Sequence, residues 1–239
     1  MAYLSMLPPM RQQPLRNPQV TIRKELEQIV LTITDATHIQ VNNLRKAILT
    51  EINGVAIDKV VIIENSTGVI DEEIVFRVNM IPINVLSNSI KMFENGQVEN
   101  GTNSYKFTLE KVCEEIELCQ VYSGDLIWEP LDNQDPFNGP TILYDDLQIV
   151  SLAPGQELKL TAYAFRNKSS INSKFSPIRD AYYRDDGKFP PTFTFYIGLL
   201  HDIDIEDLKQ SLTQLPNTPQ LEFIDGADQL QKTEAASSY

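Results

Sequence analysis

A single amphipathic stripe set among many alternating segments constrains this chain most. Val41, Leu44, Ile48 and Ile52 recur at the three- and four-residue spacing of a helix, and Arg45, Lys46 and Glu51 fall off that line. Asp35 or Thr37 can cap the start of such a helix by accepting backbone N–H bonds. Asn53 and Gly54 tolerate the left-handed conformation that ends one. Around the helix the pattern switches to period two. Val20, Ile22, Ile29, Leu31 and Ile33 alternate on either side of a charged turn, and 56–64 is rich in β-branched residues. Residues 105–109, 115–121, 147–152, 157–165 and 192–197 read as further strands, and 71–78 and 203–212 as short helices. Residues 84–104 and 126–140 read as irregular. Grouped strands with few helices give an α+β fold with mixed sheets.

Charge and composition exclude several classes. The 239 residues carry 33 acids against 20 bases, a net charge of −13. A free-standing nucleic-acid binder would show a basic face instead. No apolar run approaches the roughly 20 residues of a membrane span. Residues 1–17 hold Pro8, Pro9 and Pro14 and no acid, so a flexible arm is expected there, without the apolar core of a secretory leader. Residues 214–239 are expected to form an acidic polar tail. Cys113 and Cys119 are the two cysteines. They argue against a disulfide framework and for structural thiols in a reducing compartment. With two cysteines and two histidines, a four-ligand zinc site is not expected.

Catalytic motifs are sparse. Gly187 and Lys188 lack the upstream glycine of a phosphate-binding loop, and Phe189 stands where Ser or Thr would touch magnesium. His38 lies near Asp35, but no nucleophile accompanies them. Asp202, Asp204, Glu206 and Asp207 follow His201 closely. Alternate carboxylates could hold a divalent cation, or they form the acidic first turn of a helix with Ile203 and Ile205 buried. A small metal-dependent enzyme using 202–207 is therefore the alternative function.

Ordered blocks then bring in a resemblance. Asn42, Leu44, Arg45 and Lys46 are followed by Glu51 and Ile52, by Ala56, Ile57 and Asp58, and by Asn65, Thr67, Val69, Asp71 and Glu72. Arg77, Met80, Ile81, Pro82 and Ile83 close this group. Later come Pro154, Gly155, Gln156, Glu157, Leu158 and Leu160, then Lys174, Phe175, Ser176 and Pro177. In order and spacing these blocks resemble the assembly subunit of cellular RNA polymerases. That family comprises the bacterial alpha subunit, its archaeal counterpart and the third-largest subunit of eukaryotic polymerase II. Departures are Lys46 for a second arginine, Asn53 for a proline and Phe76 for a histidine. They give the chain the look of a divergent, viral member.

The resemblance implies a non-catalytic scaffold subunit of a DNA-directed RNA polymerase. An alpha-like dimerisation domain, 18–54 and 154–213, would be interrupted by a strand-rich insert, 55–153. Helix 37–53 and strands 157–165 and 192–197 would then form one layered unit. Expected partners are a smaller alpha-like subunit, the second-largest beta-like subunit and small accessory subunits, with no direct sequence-specific contact to nucleic acid and no membrane. Asn42, Arg45, Lys46, Asp71, Glu72, Arg77 and Lys174 would meet the beta-like subunit. Val41, Leu44, Ile48, Ile52, Phe193 and Phe195 would serve dimerisation. No cofactor is expected, since the zinc or iron–sulfur ligands of some relatives are missing. The expected location is intracellular: the nucleus, or a viral factory or virion.

Overall fold

A computed structural model describes residues 17–25, 28–85, 89–94, 96–200, 205–213 and 220–223. In chain order the elements are β1 (Gln19–Glu25), β2 (Gln28–Thr34), α1 (His38–Thr50), β3 (Asn53–Asn65), α2 (Asp71–Asn79) and β4 (Ile83–Asn84). Then follow β5 (Ser104–Val112), β6 (Cys119–Tyr122), β7 (Ile127–Glu129), β8 (Thr141–Ile142), β9 (Gln148–Leu152) and β10 (Glu157–Lys168). The last are β11 (Ile178–Asp185), β12 (Thr192–Leu199), α3 (Ile205–Thr213) and β13 (Glu222–Phe223). This is the expected α+β class.

The first sheet has the order β11-β12-β2-β1-β13. Its centre is the antiparallel pair β2–β12, where Phe193, Phe195 and Ile197 lie opposite Ile33, Leu31 and Ile29. Period-two alternation sends all six to one face, and α1 covers it. Thr37 caps α1 through a reciprocal pair with Gln40: Gln40 N donates to Thr37 Oγ1, and Thr37 N donates to Gln40 Oε1. Val41, Leu44, Ile48 and Ile52 join that core, each at most 4% exposed, and Leu208 and Leu212 of α3 close it. Full burial of each such side chain stabilises the fold by roughly 1.5–3 kcal/mol. Val41, Leu44, Ile48, Ile52, Phe193 and Phe195, expected to serve dimerisation, lie in the chain's own core with almost none of their surface exposed.

The second sheet has the order β3-β10-β5-β7, with the two-stranded pairs β4–β8 and β6–β9 beside it. Ile57, Phe107, Leu109, Leu158 and Leu160 meet Ile74 and Val78 of α2 and Ile149 and Leu152 of β9 in a separate core. The layering expected for 157–165 is thereby corrected. It pairs along its length with β3 and β5, not with the sheet that holds 192–197.

The two cores are stitched where β10 returns to the end of α1. Ser169 Oγ donates to Ile52 O, Ser170 N donates to Thr50 O, and Lys168 pairs with Glu51. Gly54 is required here, because a Cβ would lie 1.9 Å from the Phe175 carbonyl oxygen. Asn53 and Gly54 therefore start β3. The helix ends earlier, at a right-handed Glu51, so their expected left-handed stop is corrected.

Three further expectations need correction. Of 115–121, only 119–121 is strand, as part of β6, and Glu114 to Leu118 turn back between β5 and β6. Cys113 and Cys119 are bonded to each other rather than free, because that turn brings their Cα atoms to 5.6 Å. Within the expected polar tail, Leu221 is buried in the first core and β13 pairs in parallel with β1. The arm 1–16 and the rest of the tail lie outside the described residues.

Candidate assembly interface

The outward side of α1 carries the first predicted cluster. Asn42 and Arg45 are half-buried neighbours one turn apart, and Arg45 Nη2 donates to Asn42 Oδ1 at 3.3 Å. Lys46 beside them is exposed. The bond holds the guanidinium along the helix, which leaves further N–H donors in a rigid fork for an external carbonyl or carboxylate.

α2 carries the second cluster, and the residues before it show why it sits where it does. Asn65 Nδ2 donates to Val69 O and to Asp71 Oδ1, while Asn65 Oδ1 accepts from the Thr67 backbone and hydroxyl. The block Asn65, Thr67, Val69 and Asp71 is thus a side-chain-built turn joining β3 to α2. Ser66 Oγ fixes the same turn to Glu157 N. Asp71, Glu72 and Glu73 fill the first turn of α2, where the helix dipole favours acids. Arg77 donates to Ile149 O at 2.7 Å and pairs with Glu73, so it ties α2 to β9. Asp71 and Arg77 are therefore engaged within the chain, whereas Glu72 is exposed.

Lys174 sits apart from both clusters. Its side chain is only 9% exposed, pairs with Asp58 and lies 5.5 Å over the Phe175 ring. A mostly buried ammonium needs such a partner. It locks the segment before β11 to β3 and offers little to an outside surface.

The sequence reading passed over the apolar outer side of α2. Ile70, Phe76 and Met80 are 65%, 67% and 54% exposed. Phe76 and Met80 lie four residues apart on one line of the helix. Phe76 drew notice only as a departure from the family pattern. Its meaning needed the position of Ile74 and Val78, which take the inner face. Aromatic and methionine side chains on an accessible helix face suit a contact surface.

Among the described residues, no group of three or more His, Cys, Asp or Glu is arranged to hold a metal. The side chains of the acidic cluster at 202–207 lie outside them. No described helix is long and apolar enough to cross a membrane.

Over about 60% of its length the chain is similar to subunits of DNA-directed RNA polymerases. Mouse (Mus musculus) DNA-directed RNA polymerases I and III subunit RPAC1 is 32% identical over 162 residues, covering 60% of this chain and 46% of the relative. DNA-directed RNA polymerase subunit Rpo3 of Pyrobaculum aerophilum is 30% identical over 146 residues, covering 60% and 53%. Rpo3 of Pyrococcus furiosus is 32% identical over 160 residues, covering 66% and 56%. The chain spans about half the length of the curated relatives it matches. No family model matches it.

Proposed function

We propose that this chain is a non-catalytic assembly subunit of a multisubunit DNA-directed RNA polymerase. It pairs with a smaller alpha-like subunit, docks on the second-largest, beta-like subunit and meets small accessory subunits. The observation that carries this reading is homology to polymerase subunits of both animal and archaeal origin. The exposed faces of α1 and α2 support it. Asn42, Arg45 and Lys46 supply oriented donors, and Glu72 lies beside the apolar pair Phe76 and Met80. Asp71, Arg77 and Lys174 act as positioning residues for those faces. The six core residues once expected at the dimer contact serve it indirectly, by holding the sheet and helix that present it. The division into an alpha-like dimerisation domain and an insert is part of the proposal, and the two separate cores support it with β10 counted in the insert rather than in the dimerisation domain. So is the lack of a zinc or iron–sulfur cluster, since the two cysteines are bonded to each other. The proposed setting is intracellular, with the nucleus as the site in a eukaryotic cell. The viral factory, the virion and the metal-dependent enzyme gain no support from these relatives.

Co-expression with candidate alpha-like and beta-like subunits, followed by size-exclusion chromatography with light scattering, tests the proposal. The wild-type chain is expected in a stoichiometric complex. Arg45→Glu and Phe76→Glu are expected to stay folded, within about 0.5 kcal/mol of wild type, and to lose the beta-like subunit. A folded wild-type monomer that ignores both partners would overturn the assembly role. Normal docking of both variants would overturn the assigned faces.

A further inference from the structure

We propose that Cys113 and Cys119 form a reversible thiol–disulfide couple that locks and unlocks the exposed loop between β5 and β6. The inference takes its intracellular thiols from the proposed setting and otherwise stands apart from the polymerase reading. Cys113 sits in the second core at 1% exposure, while Cys119 is half-buried at the surface end of the bond. The backbone of Cys113 is held without the disulfide: Cys113 N donates to Gln156 O, and Gly155 N donates to Cys113 O. Its sulfur also lies 3.3 Å from the Glu117 carbonyl oxygen. A thiol at Cys113 would find that acceptor already in place, so the site accommodates both oxidation states. The loop itself has little else to hold it. Glu114, Glu115, Ile116, Glu117 and Leu118 are all exposed, Ile116 at 96%. None of the three carboxylates forms an ion pair among the described residues. The disulfide is therefore the one covalent clamp on a segment that buries almost nothing.

The exchange balances with two equivalents of an external thiol, such as a cellular monothiol or a dithiol reductase. A thiolate attacks the accessible Cys119 sulfur, the bond to Cys113 breaks, and Cys113 leaves as a thiolate. That thiolate takes a proton from solvent, and the resulting S–H donates a hydrogen bond to Glu117 O. A second thiolate attacks the external sulfur of the mixed disulfide, which releases Cys119 and an external disulfide. Two electrons pass to the protein. Intracellular disulfides of this kind are commonly transient and redox-sensing.

The full-length chain is equilibrated across a series of reduced and oxidised glutathione mixtures. Free thiols are counted by maleimide mass shift, and the loop is probed with a glutamate-specific protease. Opening is expected within that range, with cleavage at 114–117 rising about tenfold on reduction and falling again on reoxidation. Cys119→Ser, which leaves the buried Cys113 in place, is expected to be cut at the fast rate in every mixture. A bond that stays closed across the series would overturn the proposal. So would a cleavage rate indifferent to reduction, or cleavage spreading through the whole chain, which would mark a bond that holds the fold rather than the loop.

Discussion

Helices α1 and α2 bury one face each, and they differ in the face left over. α1 lays Val41, Leu44 and Ile48 on the first sheet and turns Asn42, Arg45 and Lys46 outward, with Ile39 its one strongly exposed apolar side chain. Water satisfies most of that surface. α2 buries Ile74 and Val78 and turns Phe76 and Met80 outward, with Ile70 at its start. Water does not favour that arrangement, since covering each such side chain stabilises by up to roughly 1.5–3 kcal/mol. Under the proposed assembly role, α1 would contribute polar specificity on a core that is complete in itself, and α2 apolar area that gains from cover.

The largest effect tests whether the first core is complete in the lone chain. Phe195→Ala removes a fully buried ring opposite Leu31 and is expected to lower stability by about 3–5 kcal/mol in urea unfolding of the isolated chain. Leu44→Ala on the facing helix should cost about 2–5 kcal/mol. A lone chain indifferent to both would mean that these residues act at a partner contact, and the contrast between the helices would collapse.

A smaller effect tests the turn that positions α2. Asn65→Ala removes an amide that makes bonds to Val69, Thr67 and Asp71. Replacement of such a local cap typically costs about 1–2 kcal/mol. The loss should appear as faster hydrogen exchange in α2, with α1 unchanged. Equal loosening of both helices would show that the two cores unfold as one unit.

That turn also marks how far the sequence could be read. The spacing of Asn65, Thr67, Val69 and Asp71 was visible as a block, but its role as a turn needed the bonds themselves. α1 was legible because its stripe keeps helical period over four positions, and β2, β10 and β12 because they alternate cleanly. β11 was missed for a physical reason. A register shift between Ile178 and Asp180 breaks its alternation, so Ile178, Ala181 and Tyr183 face inward out of step. The partner of β10 was misjudged because alternation gives a strand two faces but does not say which sheet receives it. The clusters on α1 and α2 were legible only through the ordered blocks. Lys174 was expected to meet the beta-like subunit; its ion-pair partner, Asp58, lies 116 positions earlier in the chain, beyond any local pattern.

The smallest effect concerns a third surface, the outer face of the second sheet, where ion pairs stand among the exposed side chains of Val61 and Ile127. Lys59, Lys106 and Lys159 stand along it, paired with Glu99, Glu129 and Glu110. The bond from Lys59 holds the Glu99 carboxyl below its ordinary value of 4.5, and the same bond raises Lys59 above 10.5. A lowered carboxylate contributes stability above its unfolded value and loses it as pH falls through the folded one. A raised ammonium contributes below its unfolded value and loses it as pH rises through the folded one. The pair's contribution should therefore be flat across neutral pH and fade below about 4.5 and above about 10.5. Lys59 is half-exposed and Glu99 partly so, and Lys59→Ala should cost only a few tenths of a kcal/mol at pH 7, and less in high salt. Urea midpoints for wild type and Lys59→Ala should converge as the pH falls from 7 to 3. A gap that persists at pH 3 would mean that Lys59 acts through its 5.5 Å contact with the Tyr163 ring rather than through charge pairing with Glu99.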